Sequence, residues 1–148
     1  MAKSILLDGQ ESLIDIPLYY KVRTNKYGVH NFQILSDEEG KKAAAQEESD
    51  IETLNTRWRP QTWQMNNHLM KHSTSYNQAS GTQDIDFQKY RDNVVTECLV
   101  EWDMVDPNGQ AIPVSEKTIG QMPSVIVNEL IRRYDQAMTY NEEEQEKS

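Results

Sequence analysis

The stretch Phe87-Gln88-Lys89-Tyr90-Arg91-Asp92-Asn93-Val94-Val95-Thr96-Glu97-Cys98-Leu99-Val100-Glu101-Trp102 decides how the chain is read. Phe87, Tyr90, Val94, Val95, Cys98, Leu99 and Trp102 recur at steps of three and four residues, which makes one continuous face of an α-helix. Asp84 or Asp86 stands where a helix cap is needed. A second stripe, Val127, Leu130, Ile131, Tyr134 and Met138, follows Pro123, a residue that suits a first helical turn. Between the two stripes, Asp106-Pro107-Asn108-Gly109 is a turn, and Ser115 can cap a short helix to about Gln121. Two long amphipathic helices joined this way are expected to pack as an antiparallel pair.

Moving outward, Pro60 precedes a helix expected from about Gln61 to His72 that carries Trp63, Met65, Leu69 and Met70. The polar, small residues of 73–83 read as a loop. Ile51–Trp58 fits a strand or a helical turn, and its β-branched content favours the strand. Ser36-Asp37-Glu38-Glu39 is a capping box ahead of the helix-favouring run Lys41–Gln46, which Gly40 weakens at its start. Ile14, Ile16, Leu18, Tyr20 and Val22 alternate with more polar neighbours, and His30, Phe32 and Ile34 alternate again after the turn at 24–28. This predicts a β-hairpin from about Asp15 to Leu35, with Pro17 marking a sheet edge or a break. A short strand at Ser4–Leu7 can precede the Asp8-Gly9 turn. The fold expected is α+β but mainly α: an N-terminal β-hairpin, with as many as three short strands, followed by a small helical bundle with two long amphipathic helices. One domain is expected over 1–140, with its hairpin part at 1–58 and its helical part at 61–140. The acidic stretch 141–148 has no apolar residue and is expected to be disordered.

The composition narrows function. Fifteen Lys and Arg against 24 Asp and Glu leave a net charge of −9 over 148 residues, and only 36% of residues are hydrophobic. That balance opposes sequence-independent nucleic-acid binding and electrostatic docking on an anionic membrane. The single cysteine, Cys98, excludes an internal disulfide and reads as a core thiol on a helix face. No apolar run reaches the length of a signal-peptide core or a transmembrane helix, so a cytoplasmic protein is expected.

The residues that carry chemistry are few. His68 and His72 are four apart, but Leu69 stands where a zinc protease has its glutamate, and no third ligand follows; they read as surface histidines. Glu101, Asp103 and Asp106 do not have calcium-loop spacing and read as a solvated helix end. Glycine-rich phosphate loops and a nucleophile elbow are missing from the sequence, so neither an enzyme nor a cofactor is expected. Trp58, Trp63 and Met65, with Arg57 and Arg59, form the candidate partner-binding cluster, since tryptophan, arginine and methionine are enriched at interfaces. The favoured reading of the two tryptophans is as anchors of the helix on the hairpin, since large aromatics dominate small cores.

Tyr90-Arg91-Asp92, Cys98-Leu99-Val100-Glu101-Trp102-Asp103, Asp106 through Ser115, Ile119, Met122-Pro123 and Leu130 together resemble the tail assembly chaperones of tailed bacteriophages. In that family a helix ending in tryptophan leads through an acidic, glycine-containing turn to a final helix entered at proline. The resemblance spans residues 84–138. It implies a non-catalytic protein of the host-cell cytoplasm that binds the tape-measure protein and assists assembly of the tail-tube protein. Two other readings stand beside it: a structural component of a phage tail, neck or baseplate, and an acidic inhibitor of a host nucleic-acid-binding protein.

Overall fold

The computed structural model describes residues 5–9, 12–46 and 50–139. The expected tail at 141–148 lies outside the described residues, and Ile5–Leu7 forms no strand. Among the described residues six strands and five helices follow one another. In chain order they are β1 (Ile14–Thr24), β2 (His30–Leu35), α1 (Asp37–Ala45), β3 (Ile51–Trp58), α2 (Trp63–Lys71), β4 (Thr74–Asn77), β5 (Thr82–Ile85), α3 (Phe87–Cys98), β6 (Leu99–Trp102), α4 (Glu116–Gly120) and α5 (Ser124–Met138). Strands β2, β1, β3 and β6 form an antiparallel sheet in that order, and β4 pairs with β5 in a separate hairpin.

The expectation of a mainly α bundle is therefore corrected. The fold is a sheet-rich α+β arrangement with 39% helical and 30% strand residues, and its helices are short. The error lies in Phe87–Trp102. Helix α3 ends at Cys98, and the last four residues turn into β6 along β3, with Trp102 opposite Thr56 and Glu101 opposite Arg57. The register then shifts so that Leu99, not Val100, stands against Trp58. That bulge leaves one extra residue in β6, so Leu99 and Trp102 share the Trp58–Thr56 face while three residues apart. A three-residue step is also the helical step, so the bulge imitates helix periodicity. The physical drive for the strand is the edge of β3. There Cys98 O accepts from Arg59 N at 2.7 Å, and Asn55 O accepts from Asp103 N at 3.2 Å. Residues 61–139 accordingly hold β4, β5 and β6 beside their helices, and the expected 73–83 loop contains β4 and the start of β5, turned by Ala79-Ser80-Gly81 with Gly81 at φ 70°. Its polar strands offer no apolar alternation to read.

The hairpin expectation holds: β1 and β2 pair from Tyr19↔Leu35 to Thr24↔His30. β1 is nevertheless central, because β3 pairs along its other side from Ile14↔Trp58 to Lys21↔Ile51. Pro17 is accommodated because β2 stops short of it, and Arg133 of α5 donates to its carbonyl at 3.1 Å. One face of the sheet packs on α3 and α5 through Ile16, Leu18, Leu54, Trp58, Leu130 and Tyr134. Trp58 is fully buried, stacked on Tyr134 with ring centroids 4.8 Å apart. Its indole N–H donates to Thr56 Oγ1 at 2.8 Å, and Thr56 in turn donates to Ile16 O at 2.7 Å. The other face carries polar pairs such as Arg57 with Asp15, and is covered in part by α1.

Helix α1 shows why a glycine sits in a helix. Ser36 Oγ caps it by accepting from Glu39 N at 3.2 Å, as the capping box requires. Gly40 then rests on Tyr19, and a Cβ there would lie 2.1 Å from Tyr19 Cγ. The weak helix former is thus the condition for α1 to reach the sheet.

Candidate partner-binding cleft

The core-facing alternation of the hairpin places Tyr20 and Phe32 side by side, ring centroids 6.0 Å apart, beyond the end of the helix-covered core. Across from them stand Leu54 of β3 and Ile126 of α5, and Met122 and Pro123 lie between α4 and α5. The remaining wall is the segment after β6, carrying Met104 and Ile112. Together these enclose a cleft of about 340 Å³ that is apolar but for the Tyr20 hydroxyl, Thr118 and Gln121. That volume is within the ~300–1,000 Å³ typical of ligand-sized pockets.

Its wall is held by local bonds. Trp102 Nε1 donates to Ile112 O at 2.6 Å, and Ile112 N donates to Met104 O at 3.0 Å. The turn between them is closed by Asp106, whose carboxylate accepts from Asn108 N and Gln110 N, both at 2.9 Å, with Gly109 at φ 80°. Asp103 fixes the start of the segment by accepting from Asn55 N and Nδ2 at 2.9 and 2.7 Å. The acidic cluster of the sequence is therefore structural, at a strand end rather than a helix end. Thr118 completes a capping box with Ser115 and donates to Pro113 O at 2.7 Å, so α4 is fastened to the same wall.

Tyr20 is the one titratable side chain lining the cleft. Its hydroxyl donates to Glu52 Oε2 at 2.9 Å, and burial, followed by that bond, pushes its pKa up to about 12. It is neutral at physiological pH and acts as an apolar wall with one polar tip. Met104 and Met122 contribute flexible, polarisable surface that adapts to varied apolar shapes. Such a lining is complementary in chemistry to apolar side chains.

The three sequence candidates are not brought together. Trp58 is a core residue. Trp63, at the start of α2, is 83% exposed and does not line this cleft. Met65 is half-buried and lines a separate cleft of about 430 Å³ with Leu7, Asp8, Arg59 and Val100. Phe87, expected on the apolar face of α3, is 73% exposed. His68 and His72 have ring centroids 4.4 Å apart, with His68 3.7 Å from Glu97. Among the described residues no group of three or more His, Cys, Asp or Glu side chains is placed to hold a metal ion. Burial pushes the Cys98 thiol up, consistent with a core role. Sequence reasoning missed the cleft because its residues come from five separate segments. The strongest available signal was the two methionines, Met104 and Met122, flanking the 106–115 turn.

No family model, curated protein or solved structure matches the chain. Among the described residues no helix is long and apolar enough to cross a membrane.

Proposed function

We propose that the protein is a non-catalytic binding protein that holds an apolar segment of another protein in the cleft. Following the resemblance of residues 84–138, we take it to be a tail assembly chaperone whose client is the tape-measure protein. The observation that supports this reading is the cleft itself. Seven of its lining residues, from Met104 to Ile126, belong to the segment that carries the resemblance. An adaptable apolar cleft suits a chaperone, which must hold many similar apolar stretches of a long client rather than one fixed sequence. The net charge of −9 keeps the carrier itself soluble while the client is held.

Co-expression with the tape-measure protein tests the proposal. The soluble fraction of the client should rise with the wild-type chain and fall back with Met122→Lys, which puts a charge in the cleft; because Met122 also packs against the core, circular dichroism must show the variant folded. Equal client solubility with and without the chain overturns the client assignment. Stoichiometric presence of the chain in purified particles overturns the chaperone role in favour of a structural one.

A further inference from the structure

Among the described residues β2 is an edge strand of the four-stranded sheet, with no strand paired to its outer side. Asn25 N donates to Val29 O at 2.9 Å and closes the hairpin. Hydrogen-bonded positions recur every second residue in an antiparallel ladder, so Asn31, Gln33 and Leu35 bond to β1. The main-chain groups of His30, Phe32 and Ile34 therefore point outward. Natural edge strands are guarded by charges, proline or bulges. The run His30-Asn31-Phe32-Gln33-Ile34-Leu35 has no lysine, arginine, acid or proline, and its register with β1 is uninterrupted.

We propose that this edge pairs with β2 of a second copy, giving a two-fold dimer with a continuous eight-stranded sheet. Charge selects the occupant and the register. Outward-facing residues must meet outward-facing residues, which allows an axis at Asn31, Phe32 or Gln33; the charge contact below selects Phe32, with His30 opposite Ile34 of the second copy. The same register carries the hairpin tip, with Lys26, alongside Glu38 at the start of the second copy's α1. Lys26 and Glu38 are both exposed, and the two-fold repeats the contact. A lysine of the tip thus meets the acidic first turn of α1, while the strands themselves set no like charges opposite one another. A strongly acidic chain would otherwise repel its own copy, so the neutral strand and the local opposite charges are what a self-complementary edge requires.

The experiment is register-specific cross-linking of the full chain. Asn31 and Gln33 of facing strands become direct neighbours in this register and are non-hydrogen-bonded pairs, the geometry closest to a disulfide. The double variant Asn31→Cys/Gln33→Cys should oxidise to a covalent dimer, and each single variant should stay monomeric on a non-reducing gel. Sedimentation of the wild-type chain should show a reversible dimer, its dissociation constant raised about tenfold by Lys26→Glu and restored by Lys26→Glu with Glu38→Lys. A wild-type monomer across the concentration range, with no cross-link in the double variant, overturns the proposal. A dimer formed by Gln33→Cys alone, which places the axis at Gln33, overturns it as well.

Discussion

Arg133→Ala should be among the costliest single changes outside the aromatic core. The Arg133 side chain is 13% exposed and ties α5 to the point where β2 ends. It donates to Pro17 O at 3.1 Å, to Leu35 O at 3.2 Å and to Glu129 at 3.1 Å, and it pairs with Asp37 at the start of α1. Truncation removes the donor of the Pro17 carbonyl and one of two donors of the Leu35 carbonyl, at ~0.5–1.5 kcal/mol each. It also removes the cation from a partly buried pair, and breaking a fully buried pair costs ~3–5 kcal/mol. Asp37 is half solvated and Glu129 keeps Arg132, so the lower part of the range applies: about 3 kcal/mol in total. For a chain of this size that is a fall of roughly 6–12 °C in Tm. Arg132, its neighbour, is 56% exposed, and Arg132→Ala should cost under ~1 kcal/mol. Urea unfolding followed by circular dichroism compares the two. If both variants lose the same small amount, below about 1 kcal/mol, Arg133 does not clamp the sheet and the reasoning fails.

Gly40→Ala should destabilise by about 1–3 kcal/mol through its collision with Tyr19, although helix propensity alone favours alanine by ~1 kcal/mol; thermal melts of this variant and of Gly40→Ala/Tyr19→Ala separate the two effects. Trp58→Ala should cost about 3–5 kcal/mol and Trp63→Ala under ~0.5 kcal/mol, a contrast that calorimetry reads directly. The bond from Arg132, reinforced by Arg133, holds the Glu129 carboxyl below its ordinary range. Its stabilisation is therefore present above the unfolded carboxylate value of ~4.3 and is lost as pH falls through the lower folded value. Urea midpoints measured from pH 7 to pH 3 should fall less steeply for Glu129→Gln than for the wild type.

What the sequence made legible, and what it hid, follows from which interactions are local. The caps at Ser36, Asp86 and Ser115 were readable because a hydroxyl or carboxylate meets an amide two or three residues on. The β1–β2 hairpin was readable because one buried face imposes a period of two. The central place of β1 was not, since it depends on β3, whose paired residues lie 30 (Lys21↔Ile51) to 44 (Ile14↔Trp58) positions away, and on Arg133 beyond that. The sharpest case is Leu99–Trp102. Its side-chain spacing is that of a helix, and only the partner strand reveals a bulge. Periodicity records which residues face the core, but a bulged strand and a helix can present the same residues to it. The candidate partner cluster is split between elements for a related reason. Trp58 and Trp63 are five apart in sequence and share a composition signal, yet one ends a central strand and the other begins an exposed helical turn. An aromatic-rich stretch that crosses from one element to the next divides its residues between core and solvent. The cleft joins β1, β2, β3, α5 and the 104–123 segment, and the last of these walls is positioned by the place of β6 in the sheet. The same strand that defeated the periodic reading thus creates the site on which the functional proposal rests, because its departure at Asp103 sends Met104 and Ile112 over the sheet's open corner.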